Sequence, residues 1–132
     1  MQHYFLVKRA FSYYLSLMSW IYLIIAGILE IGWPLGMKLS TTAEGTSGHT
    51  ARMITALSFS VVCMAASGFF LWLASKSIPI GTAYAIWTGV GAVGTFFIGI
   101  IFFNDSANPL RFLSAFLLVA GIIGLKLTST AH

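Results

Sequence analysis

Four apolar runs, each near the length that crosses a bilayer, leave this chain little choice of fold. They extend from Ser19 to Met37, from Met53 to Ser75, from "SIPIGTAYAIW" on to Phe103, and from about Leu110 past Lys126. One crossing takes about 20 residues, so 132 residues hold four helices with short connections and no soluble domain beside them. Only 8% of the residues are charged, against roughly a quarter in a soluble domain. The expected fold class is an all-α membrane protein, with transmembrane helices at about 19–38, 53–75, 79–103 and 109–128.

The connections carry the turn chemistry. "LSTTAEGTSGHTAR" reads as a polar loop after Lys38, Pro79 sits where a helix can restart, and "NDSANP" precedes the fourth span. Residues 112–125, between Arg111 and Lys126, are uncharged and span about 21 Å as a helix, short of a hydrocarbon core of about 30 Å. Both basic side chains must therefore snorkel to the headgroups. The formal charge of +4 is scattered singly apart from Lys8-Arg9. It decorates loops and does not suit a nucleic-acid partner. Cys63 lies inside an apolar run, alone in the chain, and reads as a small packing residue. His3, His49 and His132 are spaced unlike any metal site and are expected to be solvated.

Residues 1–17, "MQHYFLVKRAFSYYLSL", stand outside this plan. They suit a basic, aromatic interfacial helix, or the n-region of a signal peptide. The acid in the following run and the lack of a small-x-small site argue against cleavage. Met18 reads as the start of the four-helix domain. Lys and Arg then count two on the terminal side, Lys76 and Lys126, against three on the other, Lys38, Arg52 and Arg111. Even with Lys8 and Arg9 the balance gives the insertion machinery little instruction, which allows insertion in both orientations.

Glu30 is the one acid of three that lies within a span, since Glu44 and Asp105 fall in loops. An ionised side chain at the bilayer centre costs about 2.5 to 3.5 kcal/mol even on mild scales, so it must face protein or a watery cavity. A carboxylate there can hold a proton or a cation, each displacing the other, which is the minimum machinery of a proton-coupled cation exchanger. The competing structural reading is a carboxyl that hydrogen-bonds helices together.

Helical spacing groups the candidates around it. Gly27 and Trp33 lie at i−3 and i+3 from Glu30, with Met37 a turn further on. Gly27 leaves room for a guest, and the Trp33 indole offers a donor or a π-face. On the second helix Ser60, Met64, Ser67 and Leu71 form a stripe whose hydroxyls suit an acid. On the third, Tyr84, Trp87 and Gly91 form another. Taken singly, each has a structural alternative: Trp33 and Trp87 as packing or interface anchors, Met64 as core, Ser67 bonded back to its own helix. Ala85, Gly89, Gly91 and Gly94 permit close approach or bending. The fourth helix carries Ser114, Leu118, Gly121 and Leu125 on one stripe, with Gly124 beside it, and is assigned to packing or dimerisation.

"WIYLIIAGILEIGWPLGMK", "KSIPIGTAYAIWTGVGAVG" and "ANPLRFLSAFLLVAGIIGLKLTS" together resemble the small multidrug resistance family of four-helix bacterial transporters, and within it the guanidinium-exporter subtype. The resemblance covers nearly everything from Met18 to Ser129. It implies an antiparallel, dual-topology homodimer in the inner membrane, working by alternating access as a proton-coupled antiporter without a cofactor. It implies Glu30 as the shared proton and substrate site, Trp33 and Ser67 as its hydrogen-bonding partners, and Gly27, Met64, Tyr84 and Trp87 as pocket walls. Helix four, with Leu118, Gly121 and Gly124, is implied as the dimer contact. The implied substrate is guanidinium or a small guanidinyl cation, whose fork binds a carboxylate bidentately.

Four departures stand out: the extension before Met18, a longer first loop, Asn104-Asp105 where many members have Lys-Glu, and Pro34 after the pocket Trp. Pro34 has no N–H, so the Glu30 carbonyl loses its helical partner and a kink is expected. The rival functions are export of bulkier quaternary ammonium compounds and a non-transporting membrane assembly factor. An enzyme is disfavoured, because the chain offers no paired nucleophile and base, metal cluster or phosphate loop.

Overall fold

The structure is a computed structural model that describes residues 2–42 and 48–129, with side chains from residue 14 onward. Four helices follow in order: α1 (Gln2–Thr42), α2 (His49–Ala74), α3 (Ile80–Phe103) and α4 (Pro109–Thr128). Each is long and apolar enough to cross a membrane, and the chain is an all-α, multi-pass membrane protein. Glu44 and His132, expected in a loop and at the terminus, lie outside the described residues, as does the His3 side chain.

Charges mark where a span meets water, and helices do not have to stop there. α1 runs past both ends of the expected 19–38 segment, because no Gly or Pro interrupts the sequence before Gly27 and Lys and Arg are good helix formers. It also stays helical through Pro34. α2 begins at His49, after Gly48 at φ 80°, a left-handed position that glycine takes without a Cβ penalty. The His49 Nε2, expected in solvent, is buried without a hydrogen-bond partner among the described residues. Pro79 caps α3. Asn108 caps α4 by accepting from Leu110 N at 2.9 Å, with Pro109 in the first turn. Between them Asn104 takes φ 54° and closes α3, while Asp105 N donates back to Gly99 O at 3.1 Å.

α1 is the hub. It packs along α2 and α3, whereas α2 and α3 scarcely touch each other and the α4 backbone lies against α3 alone among the described residues. Lipid tails are as apolar as leucine, so close helix approach must come from small residues and polar contacts. Gly32 of α1 receives the buried Cys63, and Gly36 receives Ala56 and Ser60. Gly94 of α3 receives Ile31. A compact apolar cluster of Leu23, Ala74, Ile78, Ala83 and Ile86, flanked by Trp20 and Trp87, closes the terminal end. No α4 residue is buried.

Candidate functional site

Glu30 sits halfway along the membrane part of α1, half-buried, with its oxygens turned to hydroxyl and indole donors. Trp33, one turn on, donates its Nε1–H to Glu30 Oε1 at 2.7 Å. Ser67 of α2, fully buried, stands 3.0 Å from Glu30 Oε2 and 2.8 Å from the Ala26 carbonyl. Trp87 of α3 donates its Nε1–H to Ser67 Oγ at 2.8 Å. Three helices are therefore joined through one carboxyl and one hydroxyl. The Tyr84 ring lies 5.2 Å from that of Trp87 at 56°, so Tyr84 reaches the network through an aromatic contact.

Backbone proximity makes this geometry possible. A Cβ on Gly91 would lie 2.6 Å from Glu30 Cγ, so Gly91 is the seat on which the glutamate stem rests. Gly27, expected to leave room for a guest, instead accepts Val90: a Cβ there would stand 2.7 Å from Val90 Cγ1. In this conformation the Gly27 notch locks α1 to α3. Ser60 also departs from expectation, donating to the Trp33 carbonyl and not to the acid. Its bond fixes the backbone of the residue that holds Glu30.

Of the residues singled out in the sequence, the structure brings Glu30, Trp33, Ser67 and Trp87 together and places Tyr84 beside them. Met64 and Met37 face outward, 54% and 50% exposed, and touch none of this network's polar bonds. Leu118, Gly121 and Gly124 are exposed on α4, away from it. Two participants escaped sequence reasoning, the Ala26 carbonyl and Val90. Ala26 had a usable signal, standing one turn before Glu30 on the same face. Below the carboxyl, a cavity of about 180 Å³ opens between α1 and α3, lined by Ile31, Pro34, Lys38, Thr95, Gly99 and Asp105. It lies against Pro34, where α1 lacks one backbone donor.

Comparison with known proteins converges on one family. A family profile described as Small Multidrug Resistance protein matches residues 18–119. A protein of Yersinia pseudotuberculosis named "Guanidinium exporter" is 53% identical over 112 residues, covering 85% of this chain and 100% of its own length. Proteins of the same name from Escherichia coli and Salmonella typhimurium are each 49% identical, covering 85% of this chain and 99% of their own length.

Proposed function

The chain belongs to the small multidrug resistance family, and from that premise we propose that it exports guanidinium or small guanidinyl cations across the bacterial inner membrane in exchange for protons. The relatives' name supports the substrate class. The observation that carries the reading is the Glu30 carboxyl held by Trp33 and Ser67 inside a span. In the working unit we propose, two chains pair antiparallel through α4 and bring two Glu30 carboxyls to one pocket. Gly27, Trp33, Met64, Ser67, Tyr84 and Trp87 belong to its walls. The exporter domain begins at Met18, where the family match begins.

A proton count explains how exchange works. Ser67 has one hydroxyl hydrogen and two acceptors within reach, Ala26 O and Glu30 Oε2. With Glu30 protonated, its O–H donates to Ser67 Oγ, which also accepts from Trp87 and passes its own hydrogen to Ala26 O. Every donor is then used. With Glu30 ionised, Ser67 turns its hydrogen to the carboxylate, and the charge demands further donors. A guanidinium supplies several N–H groups in a planar fork and a balancing charge. Proton and cation thus satisfy the same oxygens in alternative ways, and neither can stay when the other binds.

The test is proton-driven guanidinium uptake in liposomes, wild type beside Glu30→Gln, which keeps hydrogen bonding and removes the charge. Exchange by the wild type and none by the variant is expected. Transport by Glu30→Gln would overturn the coupling role. Failure of both with guanidinium, alongside transport of bulky aromatic cations, would move the substrate to the quaternary ammonium class.

A further inference from the structure

The terminal face of the chain holds a pocket that the transport site does not use. Here the start of the α1 span, the α2–α3 connection and the end of α4 converge. A cavity of about 200 Å³ lies between them, lined by Ser16, Trp20, Ser77, Pro79, Lys126 and Ser129. A hydrogen bond between Ser19 and Ser77 fastens α1 to the connection. Because Ser19 donates its hydrogen to the Leu15 carbonyl at 3.0 Å, Ser77 is the donor of that pair. The cavity wall is therefore tied together without using Lys126.

Among the described residues, the charged side chains of this face are all basic. The three acids of the chain are Glu30 in mid-span, Glu44 in the α1–α2 connection and Asp105 after α3. Following the chain through four crossings, Asp105 belongs to the membrane surface opposite the terminal face. Among the described side chains, two lysines of the terminal face rest on indoles: Lys76 Nζ lies 3.8 Å from the Trp72 ring and Lys126 Nζ 5.1 Å from that of Trp20. A ring steadies an ammonium and leaves its hydrogens free to bond elsewhere. Tryptophans at span ends also mark headgroup depth, where the abundant anion is the phosphodiester of a lipid.

We propose that the Ser16, Trp20, Ser77, Lys126 and Ser129 pocket binds the phosphate oxyanion of a membrane phospholipid, with Lys126 as the charged ligand and the Ser16 and Ser129 hydroxyls as additional donors. Lys76 lies on the same face outside the cavity. That supplies a control for general surface attraction, which both lysines would share.

The probe is phosphatidylglycerol retained by the full chain after detergent purification, read by native mass spectrometry. Lys126→Gln is expected to lower retention about fivefold, through loss of the charge-assisted bond from the ammonium to the phosphate. Lys76→Gln and Lys126→Arg should retain lipid as the wild type does. Helical content by circular dichroism, unchanged in Lys126→Gln, guards against reading a folding defect as lost binding. Equal losses in Lys76→Gln and Lys126→Gln, or no loss in either, would overturn the site. Displacement of the lipid by millimolar inorganic phosphate, with phosphate itself retained, would overturn the lipid assignment in favour of a free anion. The experiment reads no transport, so it stands apart from the exporter reading.

Discussion

Gly91 of α3 and Gly121 of α4 are the same residue in two apolar helices, yet their surroundings are opposite. A methyl on Gly91 would collide with the Glu30 side chain, whereas a methyl on Gly121 or Gly124 would meet nothing within 4 Å. Around α1 the notches are filled by named neighbours, Val90, Cys63, Ser60, Glu30 and Ile31. Along α4 one notch is filled among the described residues, Gly89 of α3, which takes Ile122 with Leu118 at its rim. In lipid, a small residue gains nothing unless another helix occupies the space it leaves. The contrast separates the chain into a packed core that shapes the carboxyl site and an edge on α4 whose glycines stand open. That edge is where the proposed antiparallel partner packs.

The largest effect that can break this division is Glu30→Gln, for which coupled uptake should fall to background while the elution volume on size exclusion stays that of the wild type. Next comes a paired test of the glycines. Gly91→Ala should destabilise the fold by about 1 to 3 kcal/mol through overpacking and cut transport by roughly the tenfold that 1.4 kcal/mol represents. Gly121→Leu should leave helical content unchanged and shift the protein from crosslinked dimer to monomer. If Gly121→Leu leaves the crosslink yield at wild-type level, α4 is not the partner surface. Ser67→Ala removes the hydroxyl's bond to the carboxylate, worth about 0.6 to 1.7 kcal/mol in a membrane interior, so guanidinium affinity should fall about threefold to twentyfold in a binding titration. The smallest change is Pro34→Ala. It restores an N–H to the Glu30 carbonyl and should alter uptake by no more than about twofold in liposomes; a larger gain or loss would put that carbonyl in the site.

Much of this was readable from the residues. The spans follow from apolar length, and the Glu30–Trp33 pair follows from a three-residue helical step. Ser67 was visible as a hydroxyl on a stripe facing inward. What could not be read was which neighbour fills which notch. Gly27 suggests space from α1 alone, and only the register of α3 reveals that Val90 takes it. Ser60 likewise had two acceptors open to it, and the offset between α1 and α2 decides for the Trp33 carbonyl. The extent of α1 was hidden for a different reason, since charges report the water boundary and say nothing about where backbone hydrogen bonding ends.

That extent has a mechanical consequence. From Ser19 back to Gln2 the same helix that carries Glu30 continues for 17 residues. At 1.5 Å per residue this is a stalk of about 26 Å, and a tilt of about 10° at its base would sweep the tip through about 4 to 5 Å. A spin label or fluorophore at the far end would act as a needle on a gauge, magnifying the rocking of the carboxyl's own helix into a distance that can be followed in real time.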